Sequence, residues 1–455
     1  MSIDAVLKYL EDHRDRHVEQ LCDWLRIPSI SSVQAHDNDV RRAATFVADE
    51  LKEFGLDVDL IETEGHPLVY AETEQRPDRK TLLFYGHYDV QPVDPLDLWD
   101  SPPFEPTIRN EIIYARGGSD DKGQLYTHVK ALEAYLKTGT DLPVNVKFII
   151  EGEEECGGPA IYKYVAANPE RLACDAVVIS DTSLYNEDTP AICYSLKGLS
   201  YMQIDLKGPG ADLHSGSFGG TVQNPGNAIC EIIAKLKNAD GVVQIPGFYD
   251  DVLAIDDDER ASFEALGYTD EVLQADTGAP GPFGEKGYTT LERMWARPTC
   301  DVNGLWSGYS GEGGKTIVPS LAGAKVSMRL VPNQNPKTIA ELFAKYVHDI
   351  APEGVEVTVT DHHGANPVMV PRQSTMMEAG MRAMEHGFGK RPVFIREGGS
   401  IPIVGTFQQC LKSPVLLLGY GLPNDNIHSP NEKFHLVNFF NGIRTTAHLL
   451  LEAAK

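Results

Sequence analysis

Leu82-Leu83-Phe84-Tyr85-Gly86-His87-Tyr88-Asp89-Val90-Gln91-Pro92 decides how the rest of the chain is read. Its first four residues are a short apolar run of the kind that makes a buried strand, and Gly86, His87 and Asp89 follow where that strand leaves the core. If the two-residue period persists, His87 and Asp89 project to one face. The carboxylate then fixes the ring tautomer while the other ring nitrogen stays free for a metal. Taken alone, the triplet reads equally as a polar strand end.

Outward from this run, strands and helices alternate. Val40 to Phe54 is helical, with Gly55 at the position of a C-terminal cap. Val58–Ile61 and Leu68–Glu72 read as strands. Leu125, Val129, Leu132 and Leu136 recur at spacings of three and four between Asp121 and Lys137, the pattern of an amphipathic helix. Val144–Ile150 and Ala176–Ser180 are further apolar strands, each followed by acids: Glu153-Glu154-Glu155 after the first, Asp181 after the second. Such alternation predicts an α/β sandwich, in which ligands gather beyond the carboxyl ends of the strands.

Near Gly198 the texture changes. Tyr201–Leu206, Ala324–Val331 and Val355–Thr360 alternate polar with apolar residues, as a sheet wet on one face does, and helices are predicted at Pro225–Lys237 and Pro336–Ile350. The expected organisation is a catalytic α/β domain with a central mixed sheet flanked by helices, built from residues 1–197 and 367–455. A smaller α+β lid or dimerisation domain, residues 198–366, is inserted in it. Ser374–His386, Val393–Ile395, Val415–Leu418 and Val437–Ala453 continue the first texture.

Composition narrows the function. A chain of 455 residues exceeds one ordinary core. Its formal net charge of -26 argues against nucleic-acid partners, which need a surplus of Lys and Arg. The seven cysteines are scattered and include no Cys-x-x-Cys pair, the usage of a reducing compartment. Residues 1–26 mix charges with apolar positions at helical spacing, unlike a signal peptide or a membrane span. The expectation is a cytoplasmic protein without a membrane partner.

Each acidic loop has an ordinary explanation of its own: Ser119 or Asp120 as a helix N-cap, Glu153–Glu155 as an exposed triplet, Asp181 as a turn residue, His428 as a loop histidine. Their combination is more specific. His87, His428, Asp181 and Glu155, with Asp120 available to bridge, supply two imidazoles and three carboxylates, which suits two divalent ions such as zinc or manganese. Two metals about 3.5 to 4 Å apart can share a hydroxide nucleophile and polarise a carbonyl, which leaves Glu154 free as general base.

The segments 86–92, Asp120-Asp121-Lys122-Gly123, Glu151-Gly152-Glu153-Glu154-Glu155, Ser180-Asp181 and His428-Ser429-Pro430-Asn431-Glu432 together resemble the metallopeptidase family of glutamate carboxypeptidase, acetylornithine deacetylase and succinyl-diaminopimelate desuccinylase. Asp212-Leu213-His214-Ser215-Gly216, the segment around Thr316, Arg329-Leu330-Val331-Pro332 and Arg396-Glu397-Gly398-Gly399-Ser400 resemble its cytosolic nonspecific and carnosine-type dipeptidases. The resemblance implies that His87 and Asp181 hold one metal, Glu155 and His428 the other, and that Asp120 bridges them, with a cis Asp120–Asp121 bond. Asp89 would orient His87, and Glu154 would take a proton from the metal-bridging water and pass it to the leaving amine. His214 would reach the active site of the second subunit of a homodimer formed through the inserted domain. Arg329 would pair with the substrate carboxylate, with Thr316, Ser400, Gly398 and Gly399 as further contacts. The implied activity is dipeptide hydrolysis. N-acyl amino acid hydrolysis is an alternative in the same chemistry, and a two-metal phosphoesterase or a non-catalytic binding protein are alternatives outside it.

Overall fold

Thr81–His87 is a strand in which every residue after Thr81 is buried, and it lies in the interior of a mixed sheet. The computed structural model describes residues 3–455, and contacts divide the chain into two units. One comprises Met1–Tyr194, Val370–Ile395 and Ile403–Lys455; the other comprises Ser195–Met369 and Arg396–Pro402.

In the first unit the sheet runs in the order Asp57–Ile61, Leu68–Glu72, Asn145–Glu151, Thr81–His87, Ala176–Ile179, Val415–Leu417 and Ala191–Leu196. Asn145–Glu151, Thr81–His87, Ala176–Ile179 and Val415–Leu417 are mutually parallel. The pairs toward the edges are antiparallel. Parallel strands are joined by crossovers that put helices on the sheet, so they are apolar throughout rather than alternating. Because the central strands point one way, His87 and Glu151 sit side by side in register, and the loops after them leave from one edge.

Lys122–Lys137 packs on this sheet, and it is not the half-wet amphipathic helix that its spacing predicts: every residue from Lys122 to Tyr135 is buried. Asp4–Asp12, Arg14–Leu25 and Leu436–Ala453 cover its polar side. The buried charges are therefore satisfied internally. Lys130 Nζ lies 2.9 Å from Glu133 Oε2, 3.2 Å from Glu50 Oε1 and 3.0 Å from Gln20 Oε1. Lys122 Nζ donates to the carbonyls of Trp24 and Ile27 at 3.2 and 2.9 Å. Spacing alone does not distinguish a polar stripe facing water from one facing a second layer of helices.

His128 on the same helix is fully enclosed between Ser180 Oγ and Thr446 Oγ1, each 2.8 Å from a ring nitrogen. Burial pushes its pKa down to about 3. The folded ring stays neutral while the unfolded ring protonates below its ordinary value near 6.5, so the unfolded state binds the extra proton. Stability is therefore full above pH 6.5 and falls by up to about 1.4 kcal/mol per pH unit below it. Urea midpoints of the chelator-treated protein at pH 7.5, 6 and 5 should fall in that order, and His128→Asn should flatten the decline. An equal slope in the variant would show that other groups carry it.

The second unit has a four-stranded antiparallel sheet in the order Asp301–Ser307, Leu321–Leu330, Gly198–Lys207, Glu356–Ala365. Gly198–Lys207 alternates buried with half-buried residues. Met202, Ile204 and Leu206 of that strand share a core with Ile229 and Ile232 of the helix Pro225–Leu236 and Phe343 and Val347 of the helix Pro336–Ile350. Both helices begin alike: Pro at the first position, and an Asn side chain accepting backbone N–H groups just before it, Asn224 from Gly226 and Asn335 from Lys337 and Thr338. Asp301–Ser307 has no alternating pattern and is not foreseen from the sequence, because nearly all of its residues are exposed. No helix among the described residues is long and apolar enough to cross a membrane.

Candidate metal centre

The first unit gathers the acidic and histidine-bearing loops at one edge of its sheet. His87 ends the strand Thr81–His87, Glu154 and Glu155 follow Asn145–Glu151, and Asp181 lies two residues beyond Ala176–Ile179. Asp120 and Asp121 precede the helix Lys122–Lys137 and are joined by a cis peptide bond. Neither the Ser119 nor the Asp120 side chain caps that helix: its N-cap position is Asp121, which makes no side-chain capping bond. Gly86 allows the strand to approach the helix start, since a Cβ there would lie 2.7 Å from Asp121 Oδ2 and 2.9 Å from Leu125 Cδ1. Gly152 likewise admits the Tyr88 ring, 2.4 Å from where its Cβ would be.

His87 Nε2 lies 3.2 Å from Asp120 Oδ1 and 3.9 Å from Asp181 Oδ2. His428 Nε2 lies 2.9 Å from Asp120 Oδ2 and 3.3 Å from Glu155 Oε2. Two groups able to hold a metal ion result, His87 with Asp120 and Asp181, and His428 with Asp120 and Glu155, so Asp120 belongs to both. Glu154 belongs to neither.

The donor set fits cations. His87 Nδ1 is 3.2 Å from the Asp89 carbonyl oxygen, which can only accept, so Nδ1 carries the proton and Nε2 presents a lone pair. That nitrogen is buried and makes no hydrogen bond. The carboxylates around it repel one another. Burial pushes Asp181 well up, and Asp120 and Asp121 add to the rise. Burial likewise lifts Glu154 to about 7, with His87 opposing and Glu155 and Asp120 adding. Burial also acts to raise Asp120, but His428 beside it overrides that and holds the carboxyl below its ordinary range. A cation among these groups relieves the repulsion.

The Asp89 carboxylate does more than the sequence suggests. The strand ends at His87, so the two-residue period does not carry through to Asp89, and the tautomer of His87 is set by the Asp89 backbone carbonyl, with Oδ1 at 3.4 Å. The carboxylate itself accepts the backbone N–H of Glu154 and Glu155 at 3.3 and 3.1 Å and the Ser31 hydroxyl at 2.6 Å. It thereby fixes the turn that carries both glutamates.

Two further residues hold the centre without signalling it in sequence. Gln91 Nε2 donates to Glu155 Oε2 at 2.8 Å, orienting that carboxylate. Glu432, fully buried, accepts from the Arg116 guanidinium at 2.7 Å and from the backbone N–H of Gly117, Ser119 and Asp120 at 3.0, 3.0 and 3.1 Å. A small sheet of Lys433–His435, Ile112–Tyr114 and Thr107–Arg109 brings the His428 loop beside this segment. The Pro-Asn-Glu that follows His428 is the available sequence signal for Glu432, and a glutamate there reads as an exposed loop residue.

The remaining candidates lie in the second unit. Arg329 Nη1 is 3.3 Å from Ser400 Oγ, whose hydroxyl donates to the Lys197 carbonyl. Gly398 and Gly399 are exposed beside Ser400. His214 and Thr316 come together where Leu213–His214 pairs with Ile317–Val318, with the Ser215 N–H bonding the Thr316 carbonyl at 3.1 Å. His214 Nδ1 accepts the Gly216 N–H at 3.0 Å, so the ring proton is on Nε2 and that nitrogen is a donor.

Comparison with known proteins gives a single picture. The fission yeast (Schizosaccharomyces pombe) Cys-Gly metallodipeptidase dug1 is 34% identical over 460 residues, covering 98% of this chain and 97% of its own length. The crystal structure of human carnosine dipeptidase 1 superposes with a TM-score of 0.86 at 30% identity, covering 100% of this chain and 99% of that one. An M20 family metallo-carboxypeptidase from Sulfolobus solfataricus gives a TM-score of 0.83 at 34% identity over 96% of this chain and 99% of that one. The pattern of one peptidase family matches residues 83–452, from the His87 strand through the C-terminal helix, and this chain is a member of that family, peptidase family M20/M25/M40.

Proposed function

We propose that the chain is a metal-dependent dipeptidase that hydrolyses the peptide bond of short substrates with a free C-terminal carboxylate. In this reading it works in the cytoplasm as a homodimer with two zinc or manganese ions in each subunit. The observation that carries the reading is the pair of donor groups sharing Asp120 while Glu154 stands outside both. His87 and Asp181 would hold one ion, Glu155 and His428 the other. Bound there, divalent ions supply Lewis acidity toward a carbonyl and lower the pKa of water.

The chain's own groups do the rest. Glu154, with its backbone held by Asp89, accepts a proton at its carboxylate from the attacking water and returns it to the leaving amine. Burial favours that exchange by raising its proton affinity. Gln91 keeps Glu155 turned toward His428. Arg329 pairs with the substrate carboxylate, with Ser400, Gly398, Gly399 and Thr316 around it. His214 of the partner subunit donates through Nε2 to the developing oxyanion, a role its Nδ1 contact with Gly216 prepares.

The homodimer reading draws on Asp301–Ser307, an edge strand that leaves Val302, Leu305 and Trp306 exposed. A bare apolar sheet edge is a docking surface in waiting. The relatives' names supply the substrate class. The test is a panel of dipeptides assayed beside N-acetyl and N-succinyl amino acids, after chelation and after zinc or manganese is restored. Chelation should abolish turnover, restoration should recover it, and dipeptides should be preferred. Turnover of acyl amino acids without dipeptides would replace this reading with the amidohydrolase one.

A further inference from the structure

Ile27-Pro28-Ser29-Ile30-Ser31 follows the helix Arg14–Leu25 and sets two small hydroxyls two residues apart, beyond a proline that cannot continue the helix. Ile27, Ser29, Ile30 and Ser31 are buried, and both hydroxyls are spent on the loop behind the metal centre. Ser29 Oγ donates to the Tyr88 carbonyl at 2.6 Å, the Val90 N–H donates to the Ser29 carbonyl at 2.9 Å, and Ile30 and Val90 form a parallel bridge. The segment thus pairs with the chain just past the strand Thr81–His87. Its other end is fixed by Lys122, at the start of the helix that follows Asp120 and Asp121. That ammonium donates to the Trp24 and Ile27 carbonyls at 3.2 and 2.9 Å, where the last turn of a helix presents its negative end.

Ser31 closes this framework on Asp89. Its hydroxyl lies 2.6 Å from Asp89 Oδ2, the length of a charge-assisted bond. Asp89 is fully buried, and among the described residues no lysine or arginine lies within 4 Å of it; the His87 ring, at 3.4 Å, is its nearest ionisable partner. A buried carboxylate so placed depends on its hydrogen bonds, and the one from Ser31 is the shortest of them. Oδ2 also accepts the Glu155 N–H at 3.1 Å, and Oδ1 accepts the Glu154 N–H at 3.3 Å. The Glu155 carboxylate is held separately, by Gln91 at 2.8 Å.

We propose that Ser31 is a positioning residue of the metal centre: it locks the Asp89 carboxylate against the Glu155 backbone and so sets the affinity of the ion that Glu155 and His428 hold. The inference rests on the two-metal reading. Ser31 is in neither donor group and acts through Asp89. Without its hydroxyl, Oδ2 keeps one of these two donors and the turn that carries both glutamates is less firmly held. The His87 ring is positioned by the Asp89 backbone carbonyl, which the loss does not touch, so the ion of His87 and Asp181 is spared.

The experiment is a calorimetric titration of the chelator-treated protein with zinc, which should resolve two binding steps. Ser31→Ala should weaken one step by roughly ten- to a hundredfold and leave the other within about twofold of wild type. Ser31→Thr, which keeps a hydroxyl, should bind both ions nearly as the wild type does. Gln91→Met, which removes the other hold on Glu155, should weaken the same step as Ser31→Ala. At saturating zinc, kcat of Ser31→Ala should still fall roughly tenfold with KM within about twofold, since the Glu154 turn is loosened and no substrate contact is lost. A merely structural serine would lower the urea midpoint and weaken both steps together; that result, or two unchanged steps, overturns the role of Ser31. Wild-type protein that takes up fewer than two zinc ions overturns the two-metal reading and the inference with it.

Discussion

Replacing Glu154 by Gln should lower kcat by roughly a thousandfold while the metal content of the purified protein stays unchanged. The substitution keeps the shape of the side chain and removes its ability to hold a proton. Glu154 is in neither donor group, and its backbone N–H is held by Asp89, so the change reaches no ligand atom. Metal content measured by mass spectrometry beside single-turnover rates separates the two effects. A variant that keeps its rate would move the base to another residue, and one that loses metal would make Glu154 a ligand.

The second large effect is expected at Glu432, which belongs to neither donor group but holds the backbone N–H of Asp120. Glu432→Ala would leave the Arg116 guanidinium, itself buried, without its carboxylate, and would strip acceptors from three backbone N–H groups. Breaking a buried pair by removing one partner costs about 3–5 kcal/mol. The urea midpoint should fall accordingly. Because one of the orphaned N–H groups is that of Asp120, metal affinity should also drop by roughly ten- to a hundredfold, the usual effect of losing a partner behind a ligand. A variant of wild-type stability would mean that water replaces the carboxylate at no cost. Glu432→Gln, which keeps one acceptor, should lie between.

What the sequence reveals here follows from where chemistry meets secondary structure. His87, Glu154, Glu155 and Asp181 are readable because each stands just past an apolar run, and parallel strands deliver their ends to a common edge. Asp120 and His428 lie on loops without that cue, and only the company of the other motifs singles them out. The positions that escape are those whose partners are remote. Glu432 looks like a surface acid until Arg116 and the loop 117–120 are folded against it. The buried face of Lys122–Lys137 looks wet until Glu50 and Gln20 reach Lys130. Asp301–Ser307 hides for the opposite reason, since an edge strand exposed on both faces carries no alternating signature.

The order in which the central sheet is filled bears on when the enzyme can act during its own synthesis. Val415–Leu417 pairs with Ala176–Ile179 inside that sheet, and the His428 loop comes later still. A nascent chain that has not yet emerged from the ribosome past Val415 lacks an interior strand, one imidazole of the centre and the anchor of the Asp120 loop. Hydrolytic capacity is thus withheld until translation is nearly finished, and a prematurely terminated product is inert toward the peptides around it.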